Sequence, residues 1–97
     1  MKLSKVLLET NYQLYHPTFI SASQAAHDYA EKKGYEINDN EWFSSVSTGK
    51  KRGRPAVGKS NSFHVKLNKN GKEQRKQLHF QVYGMESGKY ELNMYIQ

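Results

Sequence analysis

The last third of the chain alternates apolar and polar residues with a period of two, and this pattern constrains the fold more than any other feature. Phe63, Val65 and Leu67 alternate with His64 and Lys66, and Leu78, Phe80 and Val82 repeat the pattern on the return. Asn70-Gly71 lies between the two runs, the residue pair that best tolerates the positive φ angles of a tight hairpin turn. Gly84 to Gly88 turns the chain again, and Tyr90, Leu92, Met94 and Ile96 place a third strand on the same core. The implied unit is an antiparallel meander with one buried face. With Asn70 and Gly71 as the central turn residues, Phe63 opposes Leu78 and Val65 opposes Lys76. That register would oblige Lys76 to snorkel from the core edge, so a slip is expected.

The first half reads as helical. Ser21 and Gln24 form an S-x-x-Q capping box, followed by Ala22, Ala25, Ala26, Tyr29 and Ala30 at helical spacing. Lys32 and Lys33 suit the last turn, Gly34 supplies a left-handed stop, and Ile20 is expected to staple the entry against Ala25. Asn38, three residues before Glu41, caps a second short helix offering Trp42, Phe43 and Val46 to the core. Before these, Lys2–Leu8 reads as a short helical turn, and Tyr12, Leu14 and His16 as a brief strand closed by Pro17. The expected fold is α+β: one or two short helices packed on a three- to four-stranded antiparallel sheet. Its single domain comprises a helical half (1–48), a loop (49–61) and the meander (62–97). A hydrophobic fraction of 36% with 12% aromatics predicts a small core rich in Tyr and Phe.

Charge is concentrated in the loop and the first hairpin of the meander. Residues 49–76 hold ten basic residues against Glu73 alone, while the rest of the chain holds five basic and eight acidic residues, within a net charge of +6. A positive field so localised is the footprint of a surface that meets a polyanion. Within it, Gly53–Ser60 spells G-R-P-A-V-G-K-S, a match to the phosphate-cradling loop, and the same stretch from Lys50 spells K-K-R-G-R-P, the core of an AT-hook. A nucleotide-binding loop needs a buried strand before it and a helix after it. Here a basic run precedes it, a strand-like alternation follows, and no apolar run ends in an Asp placed for magnesium. Gly58, Lys59 and Ser60 retain the capacity to hold one phosphate through loop amides. In the hook, Arg52 and Arg54 would lie along a narrow minor groove, with Gly53 allowing close approach and Pro55 extending the chain.

The candidate anion-binding set is therefore Lys50, Lys51, Arg52, Gly53, Arg54 and Pro55, then Gly58, Lys59 and Ser60, with Lys69, Lys72, Arg75 and Lys76 at the hairpin tip. Two other interfaces are legible. The helix–Gly34–helix succession resembles a helix-turn-helix, although its second helix presents Glu41, Trp42 and Phe43. The polar face of the meander (His64, Lys66, Gln77, His79, Gln81, Tyr83, Asn93 and Tyr95) is of a kind that stacks single-stranded bases, and alternation of this sort is also the ordinary outer face of an antiparallel sheet.

Catalytic and metal chemistry find little support. The chain has no cysteine, and His16, His27, His64 and His79 lack metal-ligand spacing. Asp28 and Glu31 read as solvated charge on a helix, and no nucleophile–base or paired-carboxylate arrangement is legible. The expectation is a protein that is not an enzyme, without cofactor or metal. The longest apolar run, Val6–Leu8, predicts neither a membrane span nor a secretory leader.

The phrases N-G-K-E-Q-R-K-Q-L-H-F-Q-V-Y-G-M (Asn70–Met85) and G-K-Y-E-L-N-M-Y-I (Gly88–Ile96), with E-W-F-S-S-V-S-T-G (Glu41–Gly49), resemble small proteins of marine tailed phages of the cyanophage myovirus type. The resemblance implies a phage origin and a location in the host cytoplasm or virion. The leading expectation is a phage protein that binds nucleic acid, DNA first, or another polyanion through the basic loop and hairpin tip. The alternative is a virion structural protein, a head-decoration or neck component, whose loop is an arm on neighbouring phage subunits.

Overall fold

The computed structural model describes residues 13–47 and 54–97. The helical turn read at Lys2–Leu8, Tyr12, and the loop residues Lys50, Lys51, Arg52 and Gly53 lie outside the described residues. The rest is α+β, as expected: two short helices packed on a four-stranded antiparallel sheet of order β1-β4-β3-β2. Its strands are β1 (Tyr15–His16), β2 (Ser60–Lys69), β3 (Lys72–Gly84) and β4 (Tyr90–Ile96).

Helix α1 (Phe19–Lys32) begins earlier than the S-x-x-Q box implies. Thr18 is the cap, and its Oγ1 accepts from the Ser21 amide at 3.0 Å. The Ser21 hydroxyl is engaged elsewhere, 2.8 Å from Nδ1 of the buried His16, whose Nε2 donates to the Gln13 carbonyl at 2.8 Å. Gln24 donates instead to Asp28 at 2.9 Å. The box residues thus tie β1 to α1 and brace the helix surface. Ile20, which lies within the first helical turn and not before the cap, cannot staple the entry and is 76% exposed. The C-terminus ends as the sequence implies: the Tyr35 amide donates to Ala30, the Gly34 amide donates to Glu31, and Gly34 has φ 94°. Those paired bonds satisfy carbonyls that a helix end leaves open.

A second helix, α2 (Asp39–Trp42), continues into a π-helical turn (Phe43–Ser47). Asn38 caps it, accepting from the Glu41 amide at 3.0 Å. Trp42 stacks on Phe80 at 5.7 Å, Phe80 on Phe63 at 4.9 Å, and Phe19 meets Phe63 at 6.0 Å, so an aromatic column joins both helices to the sheet. Val46 is buried as expected, whereas Phe43 is 56% exposed. One turn of helix cannot bring adjacent residues 42 and 43 onto the same face.

The hairpin turn is Asn70-Gly71, with φ 53° and 79°, and it joins Lys69 to Lys72. The simple register beyond it does not form. Between the pairs Asn68–Glu73 and Lys66–Gln77, β2 advances two residues while β3 advances four. This bulge leaves Lys76 exposed and brings Leu78 opposite Val65 and Phe80 opposite Phe63. Burying two apolar pairs outweighs the local loss of ladder bonds, which resolves the misfit of Lys76.

Ala22, Ala26 and Ala30 are fully buried, and their small side chains let α1 lie close on one sheet face formed by Val65, Leu67, Leu78, Phe80, Val82 and Leu92. Of the Tyr- and Phe-rich core inferred from composition, Phe63 and Phe80 are buried, but the remainder is aliphatic and no tyrosine among the described residues is fully buried. Tyr15, Tyr83 and Tyr95 are 48%, 38% and 54% exposed, because a phenol at an alternate strand position falls on the sheet face that no described helix covers. No helix among the described residues is long and apolar enough to cross a membrane.

Candidate functional site

The candidate residues fall at two ends of the β2–β3 hairpin. At one end, the second half of the Gly53–Ser60 motif is docked on the sheet. Pro55 is buried, Val57 bridges Gly84 in parallel, and Gly58 turns the chain with φ 79° into β2, which already includes Ser60. The Gly58 amide donates to the Gly84 carbonyl at 2.8 Å, the Lys59 amide to Ala56 at 3.0 Å, and the Gly84 amide to Lys59 at 2.9 Å. Gly84 is where the loop crosses the strand: a Cβ there would lie 2.6 Å from the Ala56 carbonyl oxygen. A glycine inside a strand marks such a backbone approach, and this was the available signal for the docking.

Those bonds bear on both motif readings. A phosphate cradle needs unengaged amides at a helix start, yet the Gly58 and Lys59 amides already serve carbonyls, and a strand follows. What this end presents to an anion is therefore side-chain chemistry: exposed Arg54 and Lys59 with the hydroxyl of exposed Ser60. Of the hook core, Arg54 is exposed while Pro55 is packed against the sheet end.

At the other end, exposed Lys69 and Lys72 flank the turn, and exposed Arg75 and Lys76 occupy the bulged stretch of β3. Lys69 Nζ lies 5.0 Å from the Tyr35 ring centroid, a cation–π contact. Acids are near: Glu73 faces Asn68, and a Glu36 carboxylate oxygen accepts from the Gly71 amide at 3.5 Å. Strand β2 runs Ser60–Lys69, so the two ends are separated by roughly 30 Å at about 3.3 Å per residue. The set does not form one patch.

Between them lies the sheet face that no described helix covers. Register places its side chains in transverse rows across β2, β3 and β4: Ser60–Tyr83–Glu91, Ser62–Gln81–Asn93, and His64–His79–Tyr95, with Lys66–Gln77 nearest the hairpin tip. His79 stacks on Tyr95 with ring centroids 4.8 Å apart and planes within 10°, and His64 stands 6.2 Å from His79 at 35°. Among the three complete rows the one acid is Glu91, which accepts from Asn93 at 3.3 Å.

The remaining candidates resolve into structural roles. Glu41 accepts the Lys66 amide at 3.4 Å and Glu36 bridges Asn68, so α2 and the segment before it cover the outer edge of β2 near the tip. With Trp42 on Phe80 and Glu41 at the strand edge, α2 is not arranged as a base-reading helix. His27 meets the Trp42 ring edge-on at 4.8 Å, and its Nδ1 lies 3.7 Å from Glu31 and 4.0 Å from Asp28. This is one turn of helix surface carrying two exposed carboxylates, a grouping that helical spacing alone accounts for. No protein-family model matches the chain, and comparison with curated proteins and with solved structures finds no match.

Proposed function

We propose that the chain is a non-enzymatic nucleic-acid-binding protein, of phage origin and acting in the host cytoplasm or virion, that holds a polyanionic strand lengthwise along its β2–β3 hairpin. One observation carries this reading. Cations stand at both ends of a single hairpin, Arg54 and Lys59 at one and Lys69, Lys72, Arg75 and Lys76 at the other, with a polar face between them that no described helix covers. Cations confined to two ends roughly 30 Å apart match a long anion better than a single phosphate. The phage origin rests on the phrase resemblance of the C-terminal half.

Binding of this kind releases counterions, so affinity for labelled oligonucleotides should fall roughly tenfold to a hundredfold between about 50 and 200 mM salt. Neutralising either end, with Arg54→Gln and Lys59→Gln or with Lys72→Gln and Arg75→Gln, should flatten the slope of log K against log salt by about 1.5. Fluorescence anisotropy measures both. A wild-type chain that binds neither duplex, single strand nor heparin at low salt overturns the proposal.

A further inference from the structure

We infer that the open sheet face is a stacking platform for the bases of an unpaired nucleic-acid strand, so that the protein selects single strands over duplex. This rests on the nucleic-acid reading above and adds what is read between the charged ends.

The three ring side chains are direct cross-strand neighbours, one from each strand of the meander. Their spacing is uneven, and the unevenness matters. His79 and Tyr95 are already in contact at 4.8 Å and nearly parallel, leaving no room between them. His64 and His79 stand 6.2 Å apart with their planes tilted by 35°, so His64 is not stacked on its neighbour. A cleft opens beside this row, lined by His64, His79 and Tyr95 and by Ser62, Gln81 and Asn93 of the neighbouring row. The rings supply a stacking surface, and the hydroxyl and amides supply donors and acceptors to a base edge.

Tyr95 offers a second surface. Among the described residues, β1 pairs with β4 only opposite Tyr90 and Glu91, and Tyr95 is 54% exposed. An outer base can rest on that ring. Along the hairpin the platform lies between the cationic ends, so phosphates of one strand can reach both while bases stack in the middle. A length of roughly 30 Å suits a site on the order of four or more nucleotides. In a duplex the base faces are buried against one another, and only the charged ends would remain to bind it.

The experiment compares a fluorescent oligothymidylate, an abasic strand of the same length, a duplex and heparin, each titrated at low salt. Wild type should prefer oligothymidylate to the abasic strand and to duplex by about tenfold or more. His79→Ala and Tyr95→Ala should each weaken oligothymidylate binding by about fivefold to a hundredfold, leave heparin and abasic binding within about twofold, and leave the salt slope unchanged. Tyr95→Phe, which keeps the ring, should bind as wild type. Oligouridylate should bind within about threefold of oligothymidylate, because base faces and not sugars are held. Circular dichroism in the near ultraviolet verifies that each variant is folded. If the alanine variants bind oligothymidylate like wild type, or if the abasic strand binds equally well, the platform is refuted while the polyanion reading stands. If wild type binds none of the four probes, both fall together.

Discussion

The two faces of the sheet are made from the same strands, residue by residue in alternation, and they differ in burial and polarity. On the covered face, Val65, Leu78, Phe80, Val82 and Leu92 meet the alanines of α1 and the ring of Trp42 and are removed from water. On the open face, His64, His79, Tyr95, Gln81 and Asn93 keep polar groups and ring surfaces in solvent. Among the described residues, apolar burial stabilises the fold from one side of the sheet, and the other side presents polar groups and ring faces. A ring therefore has a different meaning on each face: Phe80 holds the molecule together, whereas Tyr95 is available to a partner.

Three substitutions sharpen or break this comparison. Phe80→Ala removes the centre of the aromatic column and should lower stability by about 3–5 kcal/mol in urea unfolding. Gly84→Ala sets a methyl group against the Ala56 carbonyl where the loop crosses the strand, at the end of the covered face. It should cost about 1–3 kcal/mol and loosen the Arg54–Ser60 segment, with faster amide exchange at Gly58 and Lys59. Tyr95→Ala should cost no more than about 1 kcal/mol, the worth of a cross-strand ring pair, while carrying the loss of single-strand affinity described above. A Tyr95→Ala chain destabilised as much as Phe80→Ala would mean that the open face is structural, and the division between the faces would fail.

Much of the fold was legible because it depends on local rules. The Asn70-Gly71 turn, the Gly34 stop, the Asn38 cap and the alternation of the meander each follow from backbone preference or a period, and all are present. The misreadings share a cause. Ser21 has the right residue type and spacing for a helix cap, yet its hydroxyl is taken by His16, a partner brought in by β1. Lys76 was placed opposite Val65 by counting from the turn, and a bulge moved it away because Leu78 gains more from burial. The candidate site was legible as a list of charged residues but not as a shape. Spacing along the chain cannot show that Lys59 and Lys69 stand at opposite ends of one strand.

By itself, the sequence determined the element types, the turn positions, the charge asymmetry and which residues alternate on the strands, since these depend on side-chain chemistry within a few residues. Tertiary structure decided the rest. The bulge that pairs Phe63 with Phe80, the docking of Pro55–Lys59 on Gly84 that engages the loop amides, and the row of His64, His79 and Tyr95 all require contacts between distant segments. Such contacts form where burial and hydrogen bonding outweigh chain entropy across the whole molecule, a balance that no local window contains.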